Sequence, residues 1–347
     1  MNKNLFIVLI SFITQICISQ EVKIKMFQKS GLDCSWDVSG SNLIAYSKKG
    51  SDKYYDIYLS LPDGTKDTCI TCNNSLLPNK HIANMAWHPS GKWLIAVVEK
   101  KEHKGSSTDA LPGFGAYCDV WLISKDGKKA FKLIDEPNDY DHGIIAPRFS
   151  NNGKKIVWTE RKLRPKFISP TQTFGFWVIK TADFDFLNDT TPLVKNIKTI
   201  EPKGDGFYEC YGFSPDDKQL VFCSSMTEKS VWTQQIYTID TSGTNLKKLT
   251  TEGYNEHSVF TPDGTKIVWM SNLNNKNKGT DWWIMNADGS DKKRISYFND
   301  KTSKHYEGHA RWAGLVSFSA DGKQFVGGVQ LSLITQEGKI VIVTLTE

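Results

Sequence analysis

One phrase, an aromatic residue, a polar turn and an alternating apolar run, recurs six times along the 347-residue chain. The copies are WDVSGSNLIAY from Trp36, WHPSGKWLIAV from Trp87, FSNNGKKIVW from Phe149, FSPDDKQLVF from Phe213, FTPDGTKIVW from Phe260 and FSADGKQFVG from Phe318. Each turn carries Gly or Asp where a positive φ is needed, so each copy encodes a β-hairpin. The aromatics are spaced by 51, 62, 64, 47 and 58 residues, near the ~40–50 of a propeller blade with room for insertions. A second pair of alternating segments follows most copies, as in YDIYLSLPDGTKDTCIT, CDVWLISKDGKKAFKLI, QQIYTIDTSGTNLKKLT and DWWIMNADGSDKKRIS. The third unit departs, with GFWVIKTADFDFLNDTTPLV lacking a clear Gly turn.

Four strands per unit and no sustained helical periodicity predict an all-β chain, a six-bladed β-propeller of four-stranded antiparallel blades. A β-sandwich leaves six near-equivalent hairpins unexplained. The last unit, ending VQLSLITQEGKIVIVTLTE, is one strand short, and the opening EVKIKMF alternates correctly to supply it. The ring is thus predicted to be closed by an N-terminal strand.

The first residues, MNKNLFIVLISFITQICISQ, carry one lysine and then an apolar stretch from Leu5 to Ile18 broken only by Ser11, Thr14 and Gln15. That is the pattern of a secretory signal peptide, cleaved after Ser19. Acylation at Cys17 is disfavoured because Ile16 stands where a lipoprotein needs a small residue. No other stretch reaches the ~18 apolar residues of a membrane span. The expected organisation is a signal peptide over 1–19 and a single propeller over 20–347, exported to the periplasm or secreted, monomeric and not inserted in a membrane. Export and a net charge of only +5 argue against nucleic acid as a partner.

Export also places Cys34, Cys69, Cys72, Cys118, Cys210 and Cys223 where disulfides persist. If CYGFSPDDKQLVFC turns at Asp216-Asp217, Cys210 and Cys223 face each other at a non-hydrogen-bonded site, close enough to be bridged; a bulge would shift that register. Cys69-x-x-Cys72 with His81 and His88 fits no zinc-finger spacing. A disulfide within that pair, or to Cys34 or Cys118, is expected instead.

The phrase aromatic-Ser-Pro-Asp-Gly-Lys-x-apolar, with its later DGTNLKKLT-like strands, resembles the TolB-type (WD40-like) β-propeller repeat over essentially the whole of residues 20–347. The resemblance implies the fold. It leaves function open among periplasmic protein-binding modules, peptidase regulatory domains and, more distantly, metal-dependent oligogalacturonate lyases. No peptidase domain follows in this sequence, which disfavours the second.

In such a ring the loops leading into each inner strand, and those between second and third strands, lie on one face, the top. Length variation gathers there, in 73–84, 99–117, 160–175, 196–209 and 299–315, where function in repeat folds usually sits. His81, His142, His257 and His309 precede inner strands, and Glu209 and Glu256 hold equivalent places in blades four and five. Converging imidazoles and carboxylates suit a divalent metal, manganese, calcium or zinc, and the lyase resemblance implies manganese held by histidines near the channel. Without a metal, the same residues form a polar funnel. Arg148 and Arg311, with the basic top loops, would draw an anionic glycan, and Tyr254 and Trp312 offer faces for stacking.

No nucleophile elbow, phosphate loop or zincin motif occurs. The expectation is an exported binding or scaffold module whose top-face funnel takes a protein segment or an acidic glycan. The alternative is a metal-assisted lyase or hydrolase of an anionic polysaccharide.

Overall fold

A computed structural model describes residues 22–105, 108–111, 113–163, 174–188, 190–228, 230–275, 278–331 and 337–345; the expected signal peptide lies outside them. The described residues form twenty-four strands in six four-stranded antiparallel sheets. β1 (Lys23–Gln28) precedes blade one, which is β2 (Cys34–Trp36), β3 (Ile44–Lys49), β4 (Tyr55–Ser60) and β5 (Thr68–Cys69). Blade two is β6 (Ile82–Trp87), β7 (Trp93–Glu99), β8 (Cys118–Ser124) and β9 (Ala130–Ile134). Blade three is β10 (Gly143–Phe149), β11 (Lys155–Leu163), β12 (Phe176–Leu187) and β13 (Thr191–Ile200). Blade four is β14 (Tyr208–Phe213), β15 (Gln219–Ser224), β16 (Gln235–Asp240) and β17 (Lys247–Lys248), and blade five is β18 (Asn255–Phe260), β19 (Lys266–Ser271), β20 (Asp281–Asn286) and β21 (Lys293–Arg294). Blade six is β22 (Trp312–Phe318), β23 (Gln324–Gln330) and β24 (Gly338–Thr344), completed by β1, which pairs with β24 from Lys23↔Thr344 to Gln28↔Ile340. The predicted closure is present.

The repeated phrase has a local cause. The Ser or Thr after each late aromatic donates to the turn carboxylate two residues on, Ser214 to Asp216 at 2.6 Å, Thr261 to Asp263 at 2.6 Å and Ser319 to Asp321 at 2.7 Å. The same hydroxyl accepts the backbone N–H that opens the second strand, from Gln219, Lys266 and Gln324. A small polar network confined to consecutive residues therefore fixes both ends of the turn.

Blades pack face to face through aromatic and branched side chains. Trp282 in β20 is fully buried, lies edge-on to Phe298 and Phe325 at 5.4 and 5.2 Å, and donates its indole N–H to Gly314 O of the next blade at 2.8 Å. The inner strands β2, β6, β10, β14, β18 and β22 each touch the two neighbouring inner strands, so they line one central channel.

Five of those six strands are bulged, with register breaks at Ala83/Ala86, Ile145/Arg148, Cys210/Gly212, Glu256/Val259 and Ala313/Val316. Positive φ at Asn84, Ala146 and His257, 52°, 52° and 54°, marks three of these bulges. The bulge in β14 corrects the expected Cys210–Cys223 bridge. It moves Glu209 opposite Cys223 and Cys210 opposite Phe222, and both cysteines are buried free thiols. Cys69 and Cys72 are joined to each other, with Cα atoms 5.7 Å apart.

Candidate functional site

A bulge turns the residues around it out of the regular alternation and so re-aims side chains. Glu209 and Glu256 stand just before the bulges of their strands, each four residues before the aromatic, in adjacent blades. Their carboxylate oxygens and Cys223 Sγ lie within 4.8 Å of one another, and all three side chains are buried. Glu256 Oε1 accepts from Gln234 Nε2 at 2.7 Å and Oε2 from the Tyr254 hydroxyl at 2.7 Å. Glu209 is hydrogen-bonded by Tyr211.

Burial raises both acids. Glu256 is pushed up to about 7 by loss of water, against the hydrogen bonds from Tyr254 and Gln234. Glu209 is driven well above the usual carboxylate range by burial and then by the charge of Glu256. Two carboxylates this close in a dry site hold a proton that separate ones would release. The Cys223 thiol is also pushed well up by burial and then by Glu256 and Glu209, so it stays protonated.

Arg148 and His257 interact with this pair, and Asp33 interacts with Arg148. Arg148, half-buried, donates to Pro147 O at 2.7 Å, and its charge acts on Asp33, Tyr211 and Glu209. Asp33 is raised to about 6 by burial, opposed by the Asn84 N–H that it accepts at 2.5 Å and then by Arg148. His257 is lowered to about 3 by burial and then by Arg148. Its Nε2 lies 3.9 Å from Glu256 Oε2, but a neutral imidazole makes this a dipolar contact rather than an ion pair. Its ring stands edge-on to Tyr211 at 5.1 Å, and its buried Nδ1 has no partner.

Aromatic rings continue upward from the pair. Tyr254 contacts Trp232 at 5.7 Å and Trp312 at 6.4 Å between ring centroids, and Trp232 contacts Phe174 at 5.5 Å. Trp232 belongs to a 3₁₀ turn, Val231–Thr233, between second and third strands of blade four, and is 46% exposed.

Of the residues expected at the site, Arg148, Glu209, Tyr254, Glu256, Trp312 and His257 gather here. Arg311 is buried at the head of β22, with Nε and Nη2 bound to Glu307 and Nη1 unpartnered. His81 stands in a separate buried group, accepting the Tyr55 N–H at 3.1 Å on Nδ1, beside Glu99, whose carboxylate His103 Nδ1 meets at 2.6 Å. His142 pairs with Asp139 at 2.8 Å, and His309 is exposed. Several described basic residues of the top loops are engaged too. Lys100 meets Asp119 and Asp135, Lys162 meets Glu201, and Arg161 clamps the carbonyls of Tyr140, Asp141 and His142. Sequence reasoning passed over Asp33, Tyr211 and Gln234, although Asp33 has the same offset from its aromatic as His257. A surface cleft of about 510 Å³ between β12, β13 and blade four lies away from these groups, with Lys155 and Asp183 on its wall paired at 2.6 Å.

Among the described residues, two sets of three or more His, Cys, Asp or Glu bring ligand atoms within 4.8 Å, and neither contains a histidine. One holds the Cys69–Cys72 disulfide with Asp56. The other, Glu209, Glu256 and a protonated Cys223, offers two hard oxygen-bearing groups, where manganese or calcium takes about six oxygen ligands. The residues present do not complete such a set.

No protein-family model matches the chain, and no curated protein does. Solved structures do match. TolB from Acinetobacter baumannii superposes with a TM-score of 0.56 at 18% identity, over 88% of this chain and 64% of that one. A putative TolB from Agrobacterium tumefaciens gives 0.56 at 14% identity, over 94% and 100% of the two chains. The fold is a TolB-type propeller. An oligogalacturonate lyase in complex with manganese shares it, with a TM-score of 0.52 at 13% identity over 94% of this chain and 97% of the lyase. At these identities the likeness is one of architecture, and this chain spans less than two thirds of the A. baumannii TolB.

Proposed function

We propose that this chain is an exported, non-catalytic binding or scaffold module that receives a protein segment in its top-face funnel. One observation carries the reading. Two buried polar atoms on side chains that meet Glu256, Gln234 Oε1 and His257 Nδ1, have no hydrogen-bond partner. Buried polar groups are nearly always paired, so two unpartnered atoms beside one buried carboxylate favour a ligand that brings polar groups to this end of the channel. The exposed Trp232 beside them offers the apolar anchor that protein ligands favour. An acidic glycan is the competing ligand, and metal-assisted elimination on a polyuronate the competing activity. The latter rests on a fold shared with a manganese-bound lyase, while the carboxylate pair does not complete a metal ligand set.

Random peptides displayed on phage, panned against the purified protein, test this. Enriched peptides that bind by calorimetry and lose affinity for Trp232→Ala support it. Binding of oligogalacturonate with no peptide enriched replaces the protein segment by a glycan. Release of an unsaturated sugar from polygalacturonate, dependent on added manganese, overturns the non-catalytic reading.

A further inference from the structure

We propose that the mouth recognises a basic side chain of the bound segment, a lysine ammonium or arginine guanidinium seated on Glu209 and Glu256 and flanked by Tyr254, Trp232 and Trp312. This rests on the protein-segment reading above and names the chemistry the segment must carry.

Charge is the first argument. Glu209 and Glu256 bring carboxylate oxygens within 4.8 Å of each other, while Arg148 divides its charge between Asp33 and Glu209 and His257 is a neutral imidazole. Arg148 acts on Asp33 first and on Glu209 only after Tyr211. Glu256 gains relief only from neutral donors, Tyr254 and Gln234. Two carboxylates held this close are relieved either by a proton or by a cation brought from outside.

The second argument is independent of the acids. Gln234 is completely buried, and its Nε2 is fixed on Glu256 Oε1, which leaves its Oε1, on the same amide group, with no donor of its own. A carbonyl oxygen accepts only. His257, presenting Nε2 toward Glu256, leaves its buried Nδ1 as a second unpartnered atom. An ammonium or guanidinium is rich in N–H donors and accepts nothing, which is what carboxylates and a bare carbonyl require. The third argument is the wall. Tyr254 is bonded to Glu256 through its hydroxyl and is in ring contact with Trp232 and Trp312. Aromatic faces next to carboxylates attract organic cations and offer nothing to a bare metal ion.

The probes are two random peptide mixtures identical except at one central position, arginine in one and citrulline in the other. Citrulline keeps the shape and removes the charge. Their binding is followed by calorimetry and by tryptophan fluorescence of the intact protein. The arginine mixture is expected to bind about ten-fold more tightly, the scale of one hydrogen bond to a charged group. That preference should vanish in Glu256→Gln and Glu209→Gln, while Glu201→Gln, a control whose carboxylate meets Lys162, keeps it. Circular dichroism confirms that each variant is folded. Equal binding of both mixtures overturns the proposal and leaves the binding module standing. Binding of neither overturns both. One-to-one uptake of manganese that blocks the arginine mixture overturns it in favour of a metal site.

Discussion

Glu256 is caught between a buried position that disfavours its charge and two donors, Tyr254 and Gln234, that favour it; burial wins, and its pKa rises to about 7. The consequence for stability has a definite sign. In the unfolded chain the carboxyl ionises near its ordinary value of ~4.3, so between there and about 7 the folded state holds more protons, and stability falls as pH rises. Its contribution is fully present below the lower value and lost above the higher. Denaturant unfolding should therefore show greater stability at pH 5 than at pH 8, and Glu256→Gln should flatten that difference. A difference unchanged in the variant would place its source elsewhere. The cysteines give a second residue-scale test. A chain lacking residues 1–19, unfolded without reductant, should titrate four thiols, Cys34, Cys118, Cys210 and Cys223; a Cys210–Cys223 bridge would leave two.

Hairpins were legible because their cause is local: Ser214, Thr261 and Ser319 with their turn carboxylates write the turn into consecutive residues. Bulges were not, because the residues at positive φ, Asn84, Ala146 and His257, share no chemical type. Glu209, Glu256, Tyr254, Arg148 and His257 could be found as candidates because strands repeat in register and neighbours inherit equivalent offsets. Asp33 was available by the same alignment. His81, His142 and His309 come from loops whose approach varies, so a shared position before a strand did not bring them together. Gln234 and Trp232 reach the mouth from the loop between second and third strands, and no local pattern announces how far such a loop leans inward. Packing between elements is equally non-local. A Cβ on Gly327 in β23 would meet the Trp282 ring of the next blade at 2.5 Å. Gly327→Ala should cost on the order of 1–3 kcal/mol, the usual penalty for overpacking, read as a lowered denaturant midpoint with an unchanged slope.

At the scale of the molecule, closure decides whether six sheets behave as one. β1 covers the edge of β24, and the Trp36 N–H donates to Ser317 Oγ at 2.8 Å across the same seam. Removing residues 23–28 should leave β24 with an unpaired edge and abolish the single cooperative thermal transition, with soluble yield falling together with the near-ultraviolet dichroism. A truncated chain that melts sharply at the parent temperature would show that the seam is dispensable. The same seam sets a clock. β1 and β24 pair residues as far apart as Lys23 and Thr344, so the loop that their union closes takes in nearly all the described residues. Closing so long a loop costs chain entropy that the finished blades must offset, so the ring is expected to close after the blades have formed.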